Sequence, residues 1–124
     1  LHNGKYRAFP AVGDSMPPYQ DGTYIVGKYV ESIQDISVGK THVLVTRTGF
    51  TFKRIETIND SSITVKSDNT FYDSYDISFA DLWEIWQYAG SFSSKEQEII
   101  DFAGDDIKSM LIKLMQEVRE LKAR

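Results

Sequence analysis

The residue most suited to chemistry is Ser15, in the stretch Val12-Gly13-Asp14-Ser15-Met16-Pro17-Pro18. A glycine-containing turn between strands exposes a hydroxyl. A serine nucleophile needs that exposure, a nearby base and donors for an oxyanion. Gly-Asp-Ser also makes ordinary turns, in which Asp14 or Ser15 satisfies local backbone groups. Neither histidine has a convincing set of partners as the base. His2 lies at the N-terminus, and His42 heads a strand-like stretch where it reads as a half-buried β residue. No His, Asp or Glu cluster has metal-ligand spacing, so no zinc or two-metal mechanism is expected. Lys53 remains, in Phe50-Thr51-Phe52-Lys53-Arg54-Ile55. Two-residue alternation puts Phe50 and Phe52 on one face and Thr51, Lys53 and Ile55 on the other. As a base, Lys53 must be neutral near pH 7. Burial would have to lower its pKa from about 10.4 by about 3, or roughly 4 kcal/mol. The pattern leaves open a solvated strand lysine.

The elements around these residues are strand-like from about Tyr6 to Phe92, rich in Val, Ile, Thr, Tyr and Phe. Asp21-Gly22 introduces a strand over Thr23–Val30, and Val38-Gly39-Lys40 reads as a turn. His42–Thr46 and Phe50–Ile55 form a predicted hairpin through Arg47-Thr48-Gly49, where Gly49 supplies a positive φ. Asn59-Asp60-Ser61 is a turn, Ile63–Lys66 alternates like a strand, and 67–78 reads as a loop with extended pieces. Leu82–Ala89 is the last predicted strand.

From about Ser94 to Arg124 the texture is helical. Ser93-x-x-Glu96 has the pattern of a capping box, and Gly104-Asp105-Asp106 breaks the region, with Asp105 capping a second helix. Ile107, Leu111, Leu114, Val118 and Leu121 follow at spacings of 4, 3, 4 and 3, an a/d seam of little more than two heptads. Such a seam suits either a helix packed on the sheet or a dimer helix.

The ordered series Gly13-Asp14-Ser15-Met16-x-Pro18, Asp21–Val26, Val38-Gly39, Val43-Leu44-Val45 and Phe52-Lys53-Arg54-Ile55 resembles the LexA, UmuD and lambda-type repressor peptidase domain. The Ser15-to-Lys53 separation, 53 − 15 = 38 residues, suits that family. Val65-Lys66-Ser67-Asp68-Asn69 with Tyr72 resembles the family's Asn-containing loop, and Leu82–Ala89 its closing strand. The resemblance covers roughly residues 6–90. It implies a mainly β fold, a LexA/signal-peptidase-like curled sheet over residues 1–92, to which residues 93–124 add a helical tail. It also implies a serine endopeptidase with Ser15 as nucleophile and Lys53 as general base. The backbone N–H groups of Asp14 and Ser15 would form the oxyanion hole, with Met16 packed beside the nucleophile.

By the same resemblance the substrate is the protein's own linker to an N-terminal helix-turn-helix domain outside this chain, cut between a small residue and Gly. The only Ala-Gly here is Ala89-Gly90, on the wrong side of Ser15 for such a linker. The expected function is the regulatory and dimerisation domain of a phage-repressor/LexA-like transcriptional regulator. It would be a homodimer that meets DNA only through the absent domain and answers to a recombinase–DNA filament. Two alternatives stay open: a repressor dimerisation module that does not cleave, and a truncated signal-peptidase-like enzyme.

Composition agrees with that assignment. The net charge of −4 argues against DNA binding by this piece, since phosphate contacts need a concentrated basic surface. The absence of cysteine excludes disulfides and thiolate chemistry and fits a cytoplasmic setting. No apolar run approaches the ~20 residues of a membrane span, and Leu1–Lys5 lacks the apolar core of a signal peptide. No cofactor is expected. Without an initiator Met, the sequence reads as part of a longer protein.

Overall fold

The computed structural model describes residues 5–123, apart from the side chains of Asp105 and Ala123; His2 lies outside the described residues. The chain is mainly β, as the strand-rich composition predicts. Eight antiparallel strands precede one helix. They are β1 (Tyr6–Pro10), β2 (Thr23–Val30), β3 (Thr41–Thr46), β4 (Gly49–Ile58), β5 (Ser62–Lys66), β6 (Tyr75–Ser78), β7 (Leu82–Ser93) and β8 (Glu98–Phe102), followed by α1 (Asp105–Ala123). The sheet runs in the order β1-β2-β7-β3-β4-β5-β6, and β8 pairs with the far end of β7.

Alternation along the central strands buries both faces. On β3, Val43 joins Phe9, Ile25 and Trp86 in one cluster, while its neighbour Leu44 joins Ile55, Ile63 and Ile85 in another. The hairpin between β3 and β4 closes through Arg47 and Thr48, with Thr46 paired to Gly49 at φ 133. This loop is one residue shorter than the sequence predicts, because Gly49 itself enters the ladder.

The tail departs from the expected helical region. Ser93 and Glu96 do make the capping contact, Glu96 N–H to Ser93 Oγ at 3.2 Å. No helix follows it. Gln97 takes a φ of 53, which a helix cannot contain, and Glu98-Ile99-Ile100-Asp101-Phe102 returns as β8 along β7. Two consecutive β-branched residues and an aromatic favour the strand, so the helix break at Gly104 is the start of the chain's one described α-helix. The Asp105 side chain, its expected cap, lies outside what the structure describes.

Helix α1 lays its seam on its own sheet. Ile107 and Leu111 are buried against Val26, Ala89 and Phe92, with Leu114 and Val118 packed at the margin. Leu121 is 67% exposed and takes no part. Gly90 permits this approach: a Cβ there would lie 2.8 Å from the Asp101 carbonyl oxygen and 2.9 Å from Leu111 Cδ1. No helix among the described residues is long and apolar enough to cross a membrane.

Candidate active site

Ser15 sits in the turn between β1 and β2, and Lys53 lies on β4. The fold brings them together: Lys53 Nζ is 2.7 Å from Ser15 Oγ. That distance suits proton transfer between them. Lys53 is only 8% exposed, on the same face of β4 as the fully buried Ile55, as alternation predicts. Its register partner on β3 is His42. Among the described residues no carboxylate forms a salt bridge with Lys53. Burial therefore acts unopposed and lowers the lysine pKa below its ordinary value.

His42 is fully buried rather than half-buried. Its Nδ1 lies 3.0 Å from the Lys40 carbonyl oxygen, while its Nε2 is buried without a hydrogen-bond partner among the described residues. The Lys40 carbonyl can only accept, so Nδ1 carries the ring proton and Nε2 is bare. Burial lowers the His42 pKa as well.

The serine turn is latched from the other side by the loop after β5. Asn69 N–H donates to the Ser15 carbonyl at 3.0 Å, and Asn69 Nδ2 to the Asp14 carbonyl at 3.1 Å. Tyr72 OH donates to Asp14 Oδ1, a bond that raises the phenol pKa. The Asp68 N–H points at Met16 Sδ at 3.2 Å, and Met16 is buried next to Ser15. Arg54, next to Lys53, fixes this loop in turn: it bonds both Asp68 carboxylate oxygens, at 2.9 and 2.8 Å, and the Gly39 carbonyl. The Arg54 contact holds the Asp68 carboxyl below the usual carboxylate range. Gly13, at φ 76, opens the turn, and the Asp14 and Ser15 amides form no backbone hydrogen bond among the described residues.

Sequence reasoning reached Ser15, Lys53 and Met16, and placed Asn69 and Tyr72 only in a loop of the same type. It missed the Arg54–Asp68 pair, for which a 14-residue separation gives no signal. Ile107, Leu111, Leu114, Val118 and Leu121 lie on α1, away from Ser15 and Lys53. Ala89-Gly90 is buried within β7, with Gly90 paired to both Val26 and Phe102. Among the described residues, no group of three or more His, Asp or Glu could hold a metal ion.

The site thus brings a buried lysine into hydrogen-bond contact with the serine of a turn between two strands of an antiparallel sheet. The family model described as Peptidase S24-like matches residues 1–90, and the chain belongs to that family, which takes in the LexA, UmuD and phage-repressor C-terminal domains. No curated protein and no solved structure matches the chain significantly.

Proposed function

We propose that this is the regulatory peptidase domain of a LexA/phage-repressor-like transcriptional regulator, and that it cuts the linker to a DNA-binding domain. The observation that carries this reading is the 2.7 Å contact between Ser15 and the buried Lys53, which pairs with no carboxylate among the described residues. Neutral Lys53 takes the Ser15 proton as Oγ bonds to the peptide carbonyl carbon. The Asp14 and Ser15 amides stabilise the oxyanion. Collapse breaks the C–N bond, and protonated Lys53 gives its proton to the leaving amine. Water then enters with Lys53 again as base and releases the acyl group from Ser15, which regains its proton.

Incubating the full-length protein at alkaline pH tests this reading, with products identified by mass spectrometry. The wild type is expected to split, and Ser15→Ala and Lys53→Ala to stay whole. A wild type that stays intact, or is cut no faster than either variant, rejects the dyad and leaves a non-cleaving dimerisation module. Homodimerisation and stimulation by a recombinase–DNA filament belong to the same proposal. Sedimentation over a concentration range reads the first, and cleavage rates with and without filament read the second.

A further inference from the structure

Ser15 and Lys53 stand where two grooves meet, only one of which is lined by carboxylates. One groove, about 410 Å³, is walled by Asp14, Asp73, Tyr72 and Tyr75. The other, about 440 Å³, is walled by Ala11, Tyr19, Phe50 and Phe52. The first offers two carboxylates and two phenol rings, a set that attracts a cation by charge and by ring faces. Its only cationic side chain is Lys53, which must be neutral to act. The second groove has no carboxylate in its lining and is walled mainly by aromatic and aliphatic side chains, with Phe50 42% exposed along it. Val12, 77% exposed, borders both.

The sheet shows what shape of ligand fits. Strand β5 joins β4 only from Arg54 onward, so among the described residues Gly49–Lys53 pairs with β3 alone and its other edge has no strand partner. An open strand edge offers backbone groups to an extended peptide, and the pockets beside it choose the side chains. This edge ends at Lys53.

We propose that the site selects an extended peptide with an apolar side chain on one side of the scissile bond and a Lys or Arg on the other. The inference rests on the peptidase reading above and adds the substrate class to it. Phe50 and Tyr19 hold the apolar residue, and Asp73 with Tyr72 and Tyr75 holds the cation.

The test is binding of short fluorescein-labelled peptides to the Ser15→Ala protein, read by anisotropy. Each peptide has an Ala-Gly centre with Leu on one side and Lys or Glu on the other, made in both orders. In one order the Lys peptide is expected to bind about fivefold more tightly than its Glu counterpart, the scale of one partly exposed charge pair. Adding Asp73→Asn should bring that ratio close to one, and Phe50→Ala should weaken the Leu peptides while sparing those with Ser in its place. Equal binding of Lys and Glu peptides in both orders overturns the proposal, as does a ratio untouched by Asp73→Asn. Ser15→Ala cannot turn over, so a wild type that fails to cleave rejects the peptidase reading without touching this measurement. A wild type that cuts Lys and Glu peptides at equal rates rejects the specificity alone.

Discussion

His42 on β3 is the register partner of Lys53 on β4, so two buried nitrogen bases stand side by side on one face of the sheet. Opposed side chains of an antiparallel pair lie close together. Burial lowers both pKa values, so each group resists the proton that it would carry in water at its ordinary pKa. Burial that disfavours charge suits a lysine that must give up its proton and works against the stability of the fold.

Replacing Lys53 by Met should therefore abolish cleavage and stabilise the domain. Between the unfolded lysine pKa, near ~10.4, and the lower folded value, the unfolded chain takes up a proton that the folded chain refuses. Wild type thus loses stability as pH falls through that window and does not regain it below. Urea unfolding at pH 7 is expected to show Lys53→Met more stable by about 1 kcal/mol, with the gap closing above the unfolded pKa. A lower midpoint for the variant at pH 7 would contradict this.

His42 sets a second window on the acid side. Its folded pKa is lowered, so stability is lost as pH drops below the unfolded histidine value, near ~6.5, down to the folded pKa. In His42→Leu that loss should disappear, because no proton is left to take up at this position. Urea midpoints measured from neutral to mildly acid pH test it. Parallel curves for the two proteins would show that His42 does not carry the effect.

The loop after β5 should act on rate more than on stability. Asn69→Ala removes the side-chain bond to the Asp14 carbonyl and leaves the nucleophile turn less fixed. Self-cleavage is expected to slow up to about 100-fold through lost positioning, with unfolding free energy changed by only ~0.5 kcal/mol. Tyr72→Phe should slow it less and leave the alkaline rise unchanged, since Lys53 governs that rise. First-order cleavage rates across pH, beside urea melts, separate the two effects. Equal losses of rate and stability would make the loop a structural element only.

Gly90→Ala should destabilise by about 1–3 kcal/mol, because the added methyl meets backbone on one side and Leu111 on the other. Thermal melts read this directly. A substitution without effect would mean that α1 does not pack on β7 as closely as described.

Much of the fold was legible because alternation is local. It put Lys53 and Ile55 on one buried face of β4 and gave most of the strands. It did not give depth: His42 was assigned to a strand, but its complete burial depends on β7 and β4 lying on either side. The missed strand β8 has a different cause. Ser93 and Glu96 carry a helix-start signature, and short apolar runs such as Ile99-Ile100 suit helix or strand equally. Only pairing with β7 decides. Ser15 and Lys53 emerged from an ordered series of elements, whereas Tyr72–Asp14 and Arg54–Asp68 join loops whose approach no spacing encodes.

In the sheet, the strands that flank Ser15 and the strand that carries Lys53 are joined through β7, which pairs with β2 on one edge and β3 on the other. Residues 82–93 are made after both Ser15 and Lys53. A ribosome-bound chain ending before them holds both groups with no central strand between their two halves. The Ser15–Lys53 contact therefore forms only once β7 has been made and paired on both edges.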